Sequence, residues 1–239
     1  MSGVTGPLAG RLTVFGQGLA RPESVLATDD RAIFCSDKLG GVACISPDGA
    51  VTRAGRAPAL ESPFVPNGIA LGQDGRFLIA NIGDAGGVWR LEDDGRIAPF
   101  CLEAEGRPMP PTNFVLADRE GRVWISVSTS QSPRHLAYRR DVADGFILRR
   151  DPDGSAHRVA EGLAYTNELR VSPDRRWLYA AETFGQRVSR FPLGADGSLG
   201  ERETFAEFPA GSFVDGLVFD EAGDLWVTAI VSNRLYRVG

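Results

Sequence analysis

Cysteine and histidine are scarce in this chain of 239 residues, which holds three of the first and two of the second. The cysteines, Cys35, Cys44 and Cys101, form no Cys-x-x-Cys pair. They read as reduced, structural thiols of a cytosolic protein, with a Cys35–Cys44 bridge across one hairpin as the less favoured alternative. No apolar run approaches the ~18 residues that a membrane-crossing helix needs. The opening stretch MSGVTGPLAGRLTVFG lacks both the basic start and the apolar core of a secretory signal. Both absences point to the cytoplasm and to no membrane partner. The net charge is −5 and the pI near 5.2, so there is no basic excess to meet a nucleic acid. A nucleophile elbow, a Walker loop and an HExxH helix are also missing. The glycine-rich run at 83–87 lies between strands and reads as a tight loop. What remains is a protein for a small-molecule substrate, with nothing in the sequence to set its oligomeric state.

Apolar periods of helical type are scarce, while 29 glycines and 15 prolines punctuate the chain, which favours many short strands and turns. One pattern recurs five times: a polar head, an apolar strand, a turn rich in Asp, Gly, Glu and Arg, and a second apolar strand. It begins at Glu23, Asn67, Asn113, Asn167 and Asp215, at intervals of 44 to 54 residues. Such a period with no helix between repeats predicts four-stranded propeller blades. A third strand follows in each repeat, as in GGVACISPDG and GGVWRLEDDG, and Asp-Gly turns lead the first four repeats into an outer strand. The fifth repeat ends at its third strand, while RLTVFGQGLARPE near the N-terminus resembles an outer one. The prediction is therefore one all-β domain over 1–239, a five-bladed β-propeller closed by the pairing of residues 11–16 with 234–238. The alternative is a six-bladed ring with a blade missing from this chain.

In a propeller the first strands line the axis, so the five heads converge at one end. All five carry a side-chain oxygen, two as carboxylates and three as amides. Two carboxylates a few ångströms apart would force one to protonate. A divalent ion removes that conflict, and an all-oxygen set suits calcium first, then magnesium or manganese, with zinc disfavoured because no His or Cys belongs to the set. The alternative is that the heads only cap backbone amides, as Asn and Asp do at turns.

Here the sequence resembles the senescence marker protein/gluconolactonase/luciferin-regenerating enzyme family of calcium-dependent propellers, which includes regucalcin and diisopropyl fluorophosphatase. The resemblance spans nearly the whole chain and is carried most specifically by TNELRVSPDRRWLYAAET (166–183) and DGLVFDEAGDLWVTA (215–229), supported by PTNFVLADREGRVWIS (111–126) and PES (22–24). It implies that Glu23, Asn167 and Asp215 hold the metal, and that Asn113 is a further ligand or a substrate contact. Asn67 adds a polar head where the family has no expected ligand, and reads as a substrate contact. The family's usual ring has six blades, so a five-bladed chain departs from it. The implied activity is metal-dependent hydrolysis of a lactone of gluconolactonase type, with Asp215 as general base or nucleophile. Competing readings are a phosphotriesterase or esterase of the same family, and a calcium-stabilised binding module without turnover.

Between the second and third strands of the third repeat lies an unusually long connection, STSQSPRHLAYRRDVADG (128–145), in the position of a lid or specificity loop. Either His135 or one of Arg134, Arg139 and Arg140 meets the substrate, or the segment is a solvated helical turn. The loops 55–67 and 101–113 are expected to wall the pocket. Phe64, Met109, Phe114 and Phe184 supply either apolar lining or core, and Trp89, Trp124, Trp177 and Trp226 read as sheet packing.

Overall fold

The computed structural model describes residues 13–239. Its described backbone falls into two compact units, residues 13–121 and 122–239. The first holds β1 (Val25–Ala27), β2 (Ile33–Asp37), β3 (Gly41–Ile45) and β4 (Val51–Ala54), then β5 (Pro66–Leu71), β6 (Phe77–Asn81), β7 (Val88–Leu91) and β8 (Ile97–Cys101). A short ribbon, β9 (Glu103–Ala104) with β10 (Arg107–Pro108), leads into β11 (Phe114–Ala117). The second unit holds β12 (Val123–Val127), β13 (Gly145–Arg150) and β14 (Ala156–Leu163). It continues with β15 (Thr166–Val171), β16 (Trp177–Glu182), β17 (Arg187–Pro192) and β18 (Glu203–Glu207), and ends with β19 (Phe213–Phe219), β20 (Leu225–Ile230) and β21 (Arg234–Val238). The sheets run in strict chain order, β1 to β4, β5 to β8, β11 to β14, β15 to β18 and β19 to β21. This is the up-and-down order of propeller blades, and the fold is an all-β, five-bladed β-propeller, as the repeats predict. Among the described residues the helical content is one 3-10 turn, Arg134–Ala137, and no helix is long and apolar enough to cross a membrane.

The turns form because their aspartates hydrogen-bond their own backbone. Asp30, Asp48, Asp74, Asp94, Asp118, Asp153, Asp174, Asp196 and Asp220 each accept the amide two residues on. This Asx-type bond offers the chain a reversal without a partner strand. Between turns the apolar runs are buried. Val42, Ile69, Ile79, Trp89, Leu91 and Ile97 make one core in the first unit, with Phe64 among them. In the second unit Tyr179, Val188, Val214, Leu217, Leu225 and Val227 make another. Trp89, Trp124, Trp177 and Trp226 all lie in strands, as expected. Phe64, Met109 and Phe114 are buried, so of the two roles open to them they take the core.

The three cysteines are free thiols. In the β2–β3 hairpin Cys35 stands opposite Ala43 and Cys44 opposite Phe34, so successive side chains place the two sulfurs on opposite faces of the sheet.

Among the described residues the fifth sheet has three strands. Of the outer strand expected from 11–16, residues 11 and 12 lie outside the described residues, and 13–16 carry no strand. Gly16 and Gly18 have φ of +76° and +74°, which breaks the alternation a strand needs. Gly16 instead abuts β3, where a Cβ would stand 2.8 Å from the Ile45 Cδ1.

Candidate functional site

Three of the five heads sit on a local fault in the ladder. The β5–β6 register slips between Pro66 and Ile69, β15–β16 between Thr166 and Leu169, and β19–β20 between Val214 and Leu217. The residues left out of pairing are Asn67 with Gly68, Asn167 with Glu168, and Asp215 with Gly216. A bulge of this kind turns a side chain away from the sheet's normal alternation. Gly68 is required by the close approach of the next inner strand. Its amide donates to the Asn113 carbonyl at 3.0 Å, and a Cβ would stand 2.6 Å from the Phe114 Cα.

In the first unit Asn67 is hydrogen-bonded to Asn113 and to Arg21, and Arg21 is ion-paired with Glu23. The Asn67 Nδ2 donates to the Asn113 carbonyl at 2.8 Å and to its Oδ1 at 3.2 Å. On its other side the Asn67 Oδ1 accepts from the Arg21 Nη2 at 2.7 Å, while the Arg21 Nη1 donates to the Pro66 carbonyl at 3.0 Å. Arg21 also lies 3.6 Å from the Glu23 carboxylate. That ion pair is partly exposed and contributes about 0–1 kcal/mol. The charged hydrogen bonds contribute about 1.5–3 kcal/mol each and decide where the guanidinium sits. Asn67 and Asn113 are buried and Glu23 is exposed. The sequence reading missed Arg21, whose only signal was its place two residues ahead of a head.

In the second unit Asn167 and Asp215 are brought into contact, the Asn167 Nδ2 lying 2.5 Å from the Asp215 Oδ1 and 3.1 Å from the Thr183 Oγ1. Asn167 is buried and Asp215 half-buried. Tyr165, Phe184 and Phe213 occupy chain positions flanking the pair and its partner Thr183. Phe184 packs against Tyr165 at 5.0 Å and Phe213 at 5.3 Å, and Tyr138 from the 128–145 loop stacks on Phe184 at 5.0 Å. Burial pushes the Tyr165 hydroxyl well above its ordinary pKa, as does the neighbouring Tyr138, so it remains a protonated donor. His135 is exposed on the 3-10 turn. Arg139 and Arg140 are exposed too, Arg139 paired with Asp141, so for these two the solvated reading holds. Arg134 is different, since it is half-buried and its Nη1 atom is fully enclosed without a hydrogen-bond partner.

Buried carboxylates hold both regions from behind. Asp37, at the end of β2, accepts the Ala20 amide at 2.8 Å and pairs with Arg53 at 3.1 Å. Glu182, at the end of β16, accepts the Ala164 amide at 2.7 Å and pairs with Arg187 at 2.8 Å. Burial raises the pKa of both, but the arginine and amide hydrogen bonds outweigh it, and both stay below the usual carboxylate range. In β6 the neutral Asn81 does the same for the Val65 amide at 2.8 Å.

Among the described residues no three His, Cys, Asp or Glu side chains cluster as a metal cage. The candidate donors are instead carboxylates mixed with amides. Within each unit the head donors are oxygen, Glu23 and Asn113 in the first and Asn167 and Asp215 in the second, and oxygen donors fit a hard divalent ion. Asn167 turns its amide nitrogen toward Asp215, and a half-turn of that amide exchanges nitrogen for oxygen.

A family model described as the SMP-30/gluconolactonase/LRE-like region matches residues 21–238. The chain is 30% identical over 189 residues to a 6-deoxy-6-sulfogluconolactonase of Pseudomonas putida, an alignment covering 78% of this chain and 61% of that protein. It therefore spans less than two thirds of that relative's length. Among solved structures, a gluconolactonase of Xanthomonas campestris superposes with a TM-score of 0.74 at 24% identity, over 99% of this chain and 83% of that one. A calcium-binding regucalcin of Agrobacterium tumefaciens superposes with a TM-score of 0.66 at 20% identity, over 95% of this chain and 79% of that one.

Proposed function

We propose, from the premise that this chain belongs to the SMP-30/gluconolactonase/LRE-like family, that it is a hydrolase that opens the ring of a lactone. The observation that carries the reading is the contact between Asn167 and Asp215 on two bulged strand heads, which turns a half-buried carboxylate out of its ladder and holds it against an amide. Bulges re-aim side chains and are over-represented beside active sites.

In this reading Glu23, Asn113, Asn167 and Asp215 are the residues that hold a divalent cation, calcium before magnesium, manganese or zinc. The names of relatives support both halves of it, a lactonase and a calcium-binding protein. When bound, such an ion polarises a carbonyl oxygen and acidifies a water. Asp215 takes the proton of the attacking water, or attacks the acyl carbon itself. The acyl carbon–ring oxygen bond breaks, the ring oxygen leaves with a proton as a hydroxyl, and the product is a hydroxy acid. Asn67, Asn113 and His135 orient the substrate. The Asn67 side chain is tied by a cation of the chain itself, Arg21.

The experiment is acid release from a lactone panel, with and without chelator. Release that the chelator abolishes and calcium restores is the expected result. Calcium-dependent melting with no release from any lactone overturns the enzyme reading in favour of a binding module. Turnover confined to phosphotriesters moves the substrate class while keeping the residues.

A further inference from the structure

Arg134, in the 128–145 loop, has no part in the reaction just described. It opens the 3-10 turn Arg134–Ala137, whose last residue, Ala137, is buried and pins the turn to the protein. Its Nη1 is enclosed and has no hydrogen-bond partner. A buried donor left unmade costs about 1–3 kcal/mol, and more when it is charged, so such a group calls for an explanation in strain, function or a bound partner. The guanidinium acts electrostatically on Tyr165, whose hydroxyl also bonds with Tyr138 and Ser128. Tyr138 in turn stacks on Phe184 and meets Tyr165 edge-on at 5.4 Å. These residues are chain neighbours of the reacting pair. Tyr165 lies two residues before Asn167, and Phe184 follows the Thr183 that bonds Asn167. A cationic donor from the loop and an aromatic wall thus meet at Tyr165 and Phe184, which adjoin Asn167 and Thr183 in the chain.

We propose that Arg134, with the Tyr138–Tyr165–Phe184 wall, is a specificity subsite for an oxyanion carried by the substrate away from its reacting carbonyl. The proposal rests on the lactonase reading for the identity of that substrate, an acidic sugar lactone with a terminal carboxylate or phosphate. Arginine suits either group, because its planar fork donates two parallel hydrogen bonds to paired oxygens. The aromatic faces pack against the carbon skeleton between the oxyanion and the ring.

The full-length chain and its Arg134→Gln and Arg134→Lys variants are compared in two assays. In the first, kcat and KM are measured on glucono-1,5-lactone, its 6-phosphate, and glucaro-1,4-lactone. Arg134→Gln is expected to raise KM for the acidic lactones roughly 10–100-fold while the neutral lactone changes less than about 3-fold. Arg134→Lys, which keeps the charge and loses the fork, is expected to fall between. Dependence on the phosphate alone or the carboxylate alone identifies the oxyanion and supports the subsite. In the second assay, calorimetry compares glucarate and 6-phosphogluconate with gluconate, independent of turnover. If no lactone is opened but Arg134→Gln abolishes the preference for the doubly acidic ligands, the subsite stands and the lactonase reading falls. If lactones are opened but neutral and acidic ones respond alike to Arg134→Gln, or the native chain binds the three acids equally, the subsite is overturned and the lactonase reading stands.

Discussion

Arg21 and Tyr165 occupy the same place in two repeats, and they make opposite things of it. Each stands two residues ahead of a strand head, Glu23 in one case and Asn167 in the other. Both have left-handed backbone, with φ of +50° and +67°. In both, the residue just before is held by a buried carboxylate, Ala20 by Asp37 and Ala164 by Glu182. That carboxylate is itself paired with an arginine, Arg53 or Arg187. Such backbone is strained by about 1–3 kcal/mol in a residue other than glycine, and it persists because the buried carboxylate fixes the turn. The frame is thus common to the two regions, and the side chain it presents is not. Arg21 puts a cation onto the heads and ties Asn67 to Glu23. Tyr165 puts a neutral hydroxyl and an aromatic edge there, beside a second arginine that keeps a donor unused. The lesson is that one structural device presents two different side chains, a cation in a polar network in the first unit and an aromatic hydroxyl in an aromatic cluster in the second.

The comparison breaks most visibly at the carboxylates. Asp215→Ala and Glu23→Ala are each expected to abolish calcium binding in a calorimetric titration, because neutral amides do not balance a divalent charge. Unchanged affinity in either variant would sink the assignment for that region. Asp215→Asn keeps one oxygen and loses the base. At saturating calcium it should lower kcat on the best lactone by about 10²–10⁴, and a near-native kcat would place the proton transfer elsewhere.

The shared frame is tested through Glu182. Its folded pKa lies below the ordinary value, so its contribution to stability is complete above the unfolded carboxylate pKa of about 4.3 and is lost as pH falls through the folded value. Glu182→Gln should therefore unfold at lower urea at pH 7, by about 1–3 kcal/mol. The gap to the native chain should narrow progressively below about pH 4. A gap that does not change with pH would mean that the carboxylate's charge plays no part.

Arg21 should give a smaller effect of mixed sign. Arg21→Met removes the charged hydrogen bonds to Asn67 and Pro66, and is expected to destabilise the metal-free chain. It also removes a positive charge 3.6 Å from Glu23, so calcium affinity should rise by about 2- to 10-fold at low salt, and less in high salt. Weaker calcium binding in Arg21→Met would show that the arginine organises the ligands rather than competes with the ion. The smallest effect belongs to Asn67→Ala, where calcium affinity is expected to stay within about 3-fold while stability falls by about 1–3 kcal/mol from the groups left unpaired.

Blade count, strand order and the polar heads were legible because they depend on local chemistry. An apolar run, an Asp-bearing turn and a repeat interval can be read without knowing what lies across the sheet. The heads at Asn67, Asn167 and Asp215 were recognisable as a recurring residue type, but their bulges were not. A register slip is a relation between two strands, and neither strand shows it alone. Arg21 and Arg134 were invisible for the same reason. Among the many arginines of this chain, most are solvated, like Arg139 and Arg140, and only partners in space separate Arg21 and Arg134 from them. Of the outer strand expected from 11–16, the described part, 13–16, carries no strand, and Gly16 and Gly18 have left-handed backbone there and just after it.

By itself, then, the sequence determined a chain of β-meanders with an oxygen donor at every head, because side-chain alternation and turn chemistry act over a few residues. Tertiary structure alone decided which donors touch, Asn67 with Asn113 and Asn167 with Asp215, and which arginine is engaged and which is held open. Those outcomes depend on the approach of segments about 46 residues apart or more, where packing and buried hydrogen bonds, rather than local preference, choose among side chains that look alike on paper.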